Sequence, residues 1–278
     1  ALIVAAVFWT WLWGPVGLLL STPLTVCLVV MGRHIPRLAF LSVMLSDEQS
    51  LTPAEDCYHR LLSVGLNEAM ELVDAYLKTN SLTSLYDTVF IPVVAAAEID
   101  LRRDNLDVEQ HALIEQGIRD MIDDFGTRPV APGEAVILSE ASHIFCLPAR
   151  ALRDDLAGSM LAQLLQEKGY NASVSSLEHR DLTQTLEMLK KANMDILCIT
   201  VVPPSTVIHA RYLCIKIKEY FPKLPIVVTL WGSTLNLQEA SERLYTAGAT
   251  KIAITLEGTL AAVREITEQP VDSEKSNQ

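Results

Sequence analysis

The first 32 residues contain no charged side chain, and this stretch constrains the fold more than any other. A bilayer core of about 30 Å takes roughly 20 helical residues, so the stretch is about half as long again as one straight crossing requires. Gly14-Pro15 and Pro23 supply breaks, because proline removes a backbone donor and disfavours helix at the preceding residue. We therefore expect an apolar helix that ends near Leu12 and a second helix or half-helix over residues 16–31, bent at Pro23.

The residues around this stretch predict a membrane orientation. Three of the four tryptophans lie just before the first break, and tryptophan rings collect where lipid headgroups meet the apolar core. Arg33 and Arg37 follow the stretch, and an excess of basic residues marks the cytoplasmic flank. We expect residues 1–37 to be a transmembrane segment, with everything after about residue 33 in the cytoplasm. A signal peptide would carry a basic leader and a shorter apolar stretch.

A family resemblance is visible in the same residues. The run FWTWLWGPVGLLLSTPLTVCLVVMGRHIPRL, from Phe8 to Leu38, resembles the last membrane segment of the autoinducer-2 exporter-like permeases. The resemblance implies a polytopic permease of the bacterial inner membrane that exports a small molecule or a signalling molecule. Its partners would be the lipid bilayer and further helices of the same permease. Because the chain begins with Ala inside an apolar run, we expect it to be the C-terminal part of such a protein.

The charge and the cysteines exclude several classes of function. The formal net charge is −12, and every acidic residue lies at or after Asp47. An acidic surface repels phosphate backbones, so nucleic acid is not expected as a partner. The five cysteines are widely spaced and form no CxxC pattern, which argues against a zinc site and against a disulfide framework. We expect no metal.

Residues 38–52 form a connector, and helical spacing of apolar residues then predicts a four-helix bundle over residues 53–125. The expected boundaries are a start at Pro53, an end at Gly65, an N-cap at Asn67, a third helix from Leu82 to Leu101 bent at Pro92, and a fourth capped by Asp107 and Gln110 that ends near Phe125. A linker rich in proline and glycine follows over residues 126–142. Residues 135–138 are a weak candidate for a short strand within it.

From residue 143 the pattern changes to short apolar runs that alternate with amphipathic stretches. Such runs are typical of strands that are buried on both faces of a parallel sheet. The expected strands are Ile144 to Leu147, Ala172 to Val174, Asp195 to Val202, Ile226 to Leu230 and Ile252 to Thr255. The expected helices are Leu152 to Lys168, Leu182 to Ala192, Thr206 to Tyr220, Leu237 to Ala247 and about Gly258 to Thr267. Together they predict a doubly wound, flavodoxin-like α/β domain over residues 143–268, followed by a disordered tail over residues 269–278.

Candidate ligand-binding residues lie where these strands end, because open parallel sheets bind ligands beyond their carboxyl ends. The candidates are Arg150, Asp154, Asp155, Thr200, Pro203, Ser205, Trp231 and Gly232. No glycine-rich phosphate loop follows any strand, so nucleotide binding is not expected. No Ser/His/Asp arrangement or carboxylate pair can be argued from the sequence, so we predict no catalytic residues and no enzyme activity. For Asp154 and Asp155 a simple helix N-terminal charge is the competing interpretation, and for Trp231 a packing ring.

The segment Arg153-Asp154-Asp155-Leu156-Ala157-Gly158, after a helical bundle, resembles the cobalamin-binding regulatory modules. That family ligates cobalt with Asp-x-His-x-x-Gly, and alignment on Gly158 places Asp155 at the histidine. Carboxylate is a harder donor than imidazole, so we expect no cofactor, with cobalamin disfavoured. In the bundle, Asp100 and Gln110 replace the family's tryptophan and glutamate, whereas His111 remains. Trp231 is large enough to fill the space of the corrin ring.

Three functions stay open at this point. The first is a permease fragment that carries a cytosolic ligand-sensing or regulatory domain. The second is a membrane-tethered sensor that binds a small molecule without transport. The third, against which the absent ligand histidine counts, is a cobalamin-dependent enzyme module. A small-molecule ligand and a homo-oligomer are compatible with each.

Overall fold

The computed structural model describes residues 2–17, 19–21, 51–63, 65–128, 142–175, 182–204, 207–232 and 237–268. The chain divides into two compact units, Ala1–Thr52 and Pro53–Gln278. The connector from residue 38 to residue 50, the linker from residue 129 to residue 141 and the tail from residue 269 lie outside the described residues. The predictions of a strand at residues 135–138 and of a disordered tail therefore stay predictions.

The N-terminal unit begins with helix α1 (Leu2–Trp13), one residue longer than expected. The helix stops because Gly14 has a positive φ of 64°, and residues 15–17 and 19–21 are again helical. A Cβ atom on Gly17 would overlap the carbonyl group of Trp9, so this close approach of backbone to backbone requires glycine. Most of the predicted second helix, including the bend at Pro23, lies outside the described residues.

Among the described residues, one stretch is both long and apolar enough to cross a membrane, namely Leu82–Arg102, with a mean hydropathy of 1.4. Its side chains Leu85, Tyr86 and Phe90 are fully buried in the core of the second unit. This burial is typical of the core helix of a bundle. The predicted membrane segment at residues 1–37 gains no support from this finding and stays a prediction.

The bundle consists of α2 (Pro53–Ser63), α3 (Leu66–Leu77), α4 (Leu82–Leu85), a π-helical turn (Tyr86–Phe90), α5 (Ile91–Arg102) and α6 (Val108–Thr127). The predicted capping box is confirmed, because the amide of Gln110 donates to Asp107 at 2.7 Å and its side chain accepts from the Asp107 amide at 3.2 Å. The predicted Asn67 cap is wrong. Gly65, with a φ of 124°, precedes α3 directly, so Asn67 lies inside the helix.

The third helical stretch also differs from the prediction of a bend at Pro92. The π-helical turn at Tyr86–Phe90 ends two residues before that proline, and α5 begins at Ile91 between them. Proline has no N–H and cannot continue the regular hydrogen-bond ladder, and a local widening of the helix accommodates this defect. The turn leaves Tyr86, Val89 and Phe90 all fully buried.

In the α/β domain the described residues form five strands and five helices, which are β1 (His143–Pro148), α7 (Leu152–Glu167), β2 (Asn171–Val174), α8 (Leu182–Ala192), β3 (Ile196–Val201), α9 (Val207–Tyr220), β4 (Ile226–Leu230), α10 (Leu237–Thr246), β5 (Lys251–Ala253) and α11 (Leu256–Glu268). The sheet order is β2-β1-β3-β4-β5 and every pair is parallel. This is the predicted doubly wound, flavodoxin-like arrangement.

The two faces of the sheet have separate cores. Helices α7 and α11 share one core with the bundle, and helices α8, α9 and α10 share the other. The four described cysteines, Cys57, Cys146, Cys198 and Cys214, are buried and unpaired. Burial raises the pKa of Cys57 and Cys214 to about 12, so these thiols are core residues without nucleophilic character.

Candidate functional site

Asp154 joins the ends of β1 and β3. Its Oδ1 accepts a hydrogen bond from the amide of Val202 at 2.9 Å, and its Oδ2 accepts from the amides of Arg150 and Ala151 at 3.1 and 3.0 Å. Its backbone oxygen accepts from the Thr200 hydroxyl at 2.7 Å. Burial raises the pKa of Asp154, while the three amide donors favour its charged form. Asp154 and Thr200 therefore stabilise the loop between β1 and α7. This agrees in part with the competing interpretation of Asp154, a charge at the start of a helix.

Six ionisable side chains meet between the bundle and the end of the sheet. We call them the interface cluster: Glu98, His111, Glu115, Arg119, Arg153 and Asp155. Arg153 Nη1 lies 2.9 Å from Glu98 Oε2, and its Nε donates to the carbonyl oxygen of Val202 at 3.2 Å. Arg119 Nη2 lies 3.0 Å from Asp155 Oδ2. Each of these ion pairs joins the bundle to α7.

His111 lies between two carboxylates of the bundle. Its Nε2 is 3.7 Å from Glu98 Oε2, and its Nδ1 is 3.6 Å from Glu115 Oε2. The side chains of these three residues are only 11 to 14 % exposed. Burial raises the pKa of Glu115, and Glu98 adds to this rise, whereas His111 and the two arginines of the cluster oppose it. The uncharged form of Glu115 is therefore favoured relative to that of an exposed glutamate.

Sequence reasoning identified only part of the interface cluster. It selected Asp155 as a ligand-binding candidate, named Arg153 and His111 without predicting a role for them, and gave Glu98, Glu115 and Arg119 no role. His111, Glu115 and Arg119 recur every four residues on α6, which places them on one helical face, and that periodicity was the available signal. The pairing with Asp155 and Arg153 depends on how the bundle docks, which no local pattern specifies.

Trp231 follows β4 and is fully buried, with its indole Nε1 donating to the Thr259 hydroxyl at 3.0 Å. It is a packing ring with a satisfied donor. Gly232 has a φ of 66°, and a Cβ atom there would lie 3.6 Å from Ile91 of the bundle and 4.0 Å from Pro203. Pro203 is half-buried beside it. The last predicted residue, Ser205, lies outside the described residues.

Arg150 does not join the interface cluster. Its side chain is exposed, and Nη1 lies 2.6 Å from His209 Nε2 of α9, on the face of the sheet that the bundle leaves uncovered. The predicted site residues therefore divide between two places at one edge of the sheet. Within the described ranges no group of three side chains is placed to hold a metal ion, and the expectation of no metal stays a prediction.

The residues at the covered part of this edge do not fit a corrin ring in the conformation described. Trp231 is 0 %, Asp155 5 % and Arg153 6 % exposed, so these side chains present almost no surface that a ring could contact. The carboxylate of Asp155, which the resemblance aligns with the family's ligand histidine, pairs with Arg119. Binding would require the interface cluster to open.

Two solved structures that the chain resembles are distant from it in sequence. No family model matches the chain, and no curated protein does, so the permease resemblance gains no support. A cobalamin-binding protein from Desulfitobacterium hafniense DCB-2 is similar at 10% identity and a TM-score of 0.37, over 76% of this chain and 96% of that one. The methanol:cobalamin methyltransferase complex MtaBC from Methanosarcina barkeri is similar at 15% identity and a TM-score of 0.35, over 83% and 93%.

These likenesses correct one expectation. One of these structures is a cobalamin-binding protein and the other is a methanol:cobalamin methyltransferase complex, so the prediction that the chain takes no cofactor is wrong as an exclusion. The substitution of histidine by Asp155 at the ligand position was too narrow a basis for excluding it. What the structure itself establishes is five parallel strands with helices on both faces, preceded by a helical bundle.

Proposed function

We propose that residues 53–268 form a regulatory module that binds a small molecule between the bundle and the sheet, in exchange for the ion pairs of the interface cluster. The observation that carries this proposal is a pair of ion pairs across that boundary, the buried Arg153–Glu98 and the half-buried Arg119–Asp155. Taking charges out of water costs nearly as much as their attraction returns, so such bridges stabilise a closed state only weakly. A ligand that binds the open state can therefore shift the equilibrium.

The chemistry of the cluster restricts the ligand. Opening of the boundary separates two guanidinium groups and three carboxylates from their partners. A ligand that covers these groups without forming hydrogen bonds to them would leave them buried and unpaired, which is costly. A suitable ligand thus carries several hydrogen-bonding groups at its edge, as the amide-bearing corrinoids do. Support for the class comes from this donor and acceptor set and from the resemblance of residues 153–158 to the cobalamin modules.

The test is a titration of the full chain in non-ionic detergent with hydroxocobalamin, followed by visible absorption and by equilibrium dialysis. The variant Arg153→Met removes one bridge and should bind about tenfold more tightly than the parent, because the ligand no longer competes with that bridge. Arg264→Met is the matched control, since Arg264 pairs with Glu268 on the surface of α11.

Binding with equal affinity by the parent, Arg153→Met and Arg264→Met would contradict the exchange of ligand for ion pairs. If none of the three binds, corrinoids are excluded. Hydrogen exchange then tests, without any ligand, whether the boundary between the bundle and the sheet opens. Arg153→Met should increase exchange in α5 and α6, and unchanged exchange would overturn the proposal of an opening boundary.

We further propose that the N-terminal unit inserts into a lipid bilayer with the module on its cytoplasmic side. The apolar side chains of Trp11 and Leu19 are 81 % and 83 % exposed, and exposed apolar patches of this kind mark interaction surfaces. A permease as the parent protein rests on the resemblance of residues 8–38. Carbonate washing and sedimentation with membranes test the insertion, and release into the supernatant would contradict it.

The absence of enzyme activity stays part of the proposal. The thiols of Cys57 and Cys214 have a pKa near 12 and are buried, which argues against a cysteine nucleophile there. A methyl-transfer assay with methylcobalamin and a thiol acceptor tests this point. Turnover above the rate without protein would revive the enzyme module.

A further inference from the structure

A cavity at the edge of the sheet lies apart from the interface cluster. It has a volume of about 240 Å³ and lies between the loop after β1 and the helices α8 and α9. The bundle lies on the other side of the sheet, together with α7 and α11. Helix α7 follows β1 on one face of the sheet, and α9 follows β3 on the opposite face. The connections after these two neighbouring strands therefore run in opposite directions. Divergence of this kind creates the crevice in which doubly wound sheets bind ligands.

The lining of this cavity combines an apolar floor with a polar rim. Leu147 and Leu213 belong to the floor, and the rim contains Arg150, His209 and Tyr212. Ligand sites commonly have this composition, with a few polar groups that fix the orientation of an otherwise apolar contact. The volume is below the range of roughly 300–1,000 Å³ for drug-sized molecules, so a compact molecule is favoured.

The electrostatics of the cavity favour an anion. None of its ten described lining residues is acidic, although the chain as a whole has a net charge of −12. The guanidinium of Arg150 makes no ion pair with a carboxylate in the part of the chain that the structure describes, and its contact is His209 Nε2 at 2.6 Å. Arginine has no acceptor atom, so Arg150 donates in this contact, and its guanidinium retains further N–H donors.

We propose that this cavity binds a small molecule that carries one oxyanion, a phosphate monoester or a carboxylate, on an apolar body. The planar guanidinium of Arg150 binds the oxyanion through paired N–H donors, and the hydroxyl of Tyr212, a residue that is 50 % exposed, is an additional donor at the rim. The apolar body contacts Leu147 and Leu213. This site does not depend on the function proposed for the boundary between bundle and sheet.

The experiment is isothermal titration of the full chain in non-ionic detergent with phenyl phosphate, benzoate, inorganic phosphate and phenol. We expect phenyl phosphate or benzoate to bind more tightly than inorganic phosphate, which lacks the apolar body, and than phenol, which lacks the charge. The comparison of phenyl phosphate with benzoate decides which oxyanion the site prefers. No binding by any probe at millimolar concentration would overturn the proposal.

Matched variants locate the site. Arg150→Met should weaken binding at least about tenfold, because a charge-assisted pair is lost. Arg150→Lys should recover part of the loss, and His209→Gln provides a second variant in the cavity. Arg211→Met removes the same charge from α9, at a residue that lines a different cavity, and should leave the affinity unchanged. Equal weakening by Arg150→Met and Arg211→Met would show a general charge effect and overturn the proposal.

The outcomes for the two sites are distinguishable. Failure of hydroxocobalamin to bind leaves the oxyanion titration unaffected, because Arg150 takes no part in the interface cluster. Conversely, loss of oxyanion binding in Arg150→Met should not change the hydrogen exchange of α5 and α6. A change in both would contradict the independence of the sites.

Discussion

The two sides of the sheet edge differ in the burial and in the partners of their arginine side chains. On the bundle side Arg153 is 6 % exposed and pairs with Glu98, whereas on the other side Arg150 is exposed and contacts a histidine instead of a carboxylate. The two arginines are three residues apart in sequence, and β1 ends just before both. The comparison teaches that the partner from another element, and not the local sequence, decides whether such a residue holds the fold closed or is available to a ligand.

The largest expected effect concerns the packing that supports the closed side. Trp231→Ala should reduce the free energy of unfolding by about 3–5 kcal/mol, because it empties a fully buried site and leaves Thr259 without its donor. Tyr212→Ala, on the open side, should cost less than about 1 kcal/mol. Urea unfolding followed by circular dichroism measures both. Similar losses in the two variants would remove the distinction between the sides.

Removal of one buried charge comes next. Arg153→Met should reduce the free energy of unfolding by about 1–3 kcal/mol, because the buried Glu98 loses one of its two arginine partners and keeps Arg102 at 2.7 Å. Arg264→Met breaks an exposed pair on α11 and should change it by less than about 0.5 kcal/mol. Denaturant midpoints of the two variants, compared at equal slope, check this. A loss in Arg153→Met as small as in the control would mean that the bridge is not desolvated.

The bundle is also attached at a helix start. Asp87 in the π-helical turn accepts hydrogen bonds from the amides of Leu256 and Glu257 at 2.7 and 3.3 Å, and so caps α11 from the bundle. Asp87→Ala should cost about 1 kcal/mol, and Asp107→Ala, a cap within the bundle, about the same. Hydrogen exchange separates them, because Asp87→Ala should expose the first turn of α11 and Asp107→Ala that of α6. Exchange confined to the bundle in both variants would contradict the cap across the boundary.

The smallest effect is the pH dependence of the cluster. Burial raises the pKa of Glu115 above its ordinary value of 4.5, so the folded state holds this proton more tightly than the unfolded state does. The stability of the parent relative to Glu115→Gln should therefore be highest at acid pH, fall as the pH rises through the raised pKa, and be level above it.

Unfolding of both proteins between pH 4.5 and pH 7.5 measures this difference. His111, Glu98, Arg119 and Arg153 surround the group and are common to both proteins. The exposed Glu239→Gln on α10 serves as the control and should show no such trend. A difference that grows with pH would contradict the assigned direction.

Much of the fold followed from local pattern. All five strands lie within two residues of the predicted starts and ends, because buried parallel strands are short apolar runs that helices flank. The capping box at Asp107 was equally local. The predicted cap at Asn67 failed because the freedom of Gly65 at positive φ starts the helix earlier, and the π-helical turn before Pro92 had no signal beyond the proline itself.

The site was less predictable because its contacts are long-range. Arg153 and Glu98 are 55 residues apart and meet only when the bundle lies on the sheet, as do Arg119 and Asp155 at 36 residues. Sequence reasoning placed Asp154 and Thr200 at the correct edge, but their hydrogen bonds are to each other and to the loop. Arg150 was a predicted residue whose side chain is exposed, so a ligand can contact it.

A double-mutant cycle of Arg153→Met and Glu98→Gln tests the central claim most directly, namely that buried charge pairing couples the bundle to the sheet. The free energy of unfolding of the parent, both single variants and the double variant gives the coupling between the two side chains. We predict that the double variant is more stable than Arg153→Met alone, with a coupling of at least about 1 kcal/mol. Additive losses would contradict the claim, because the two charges would then act independently.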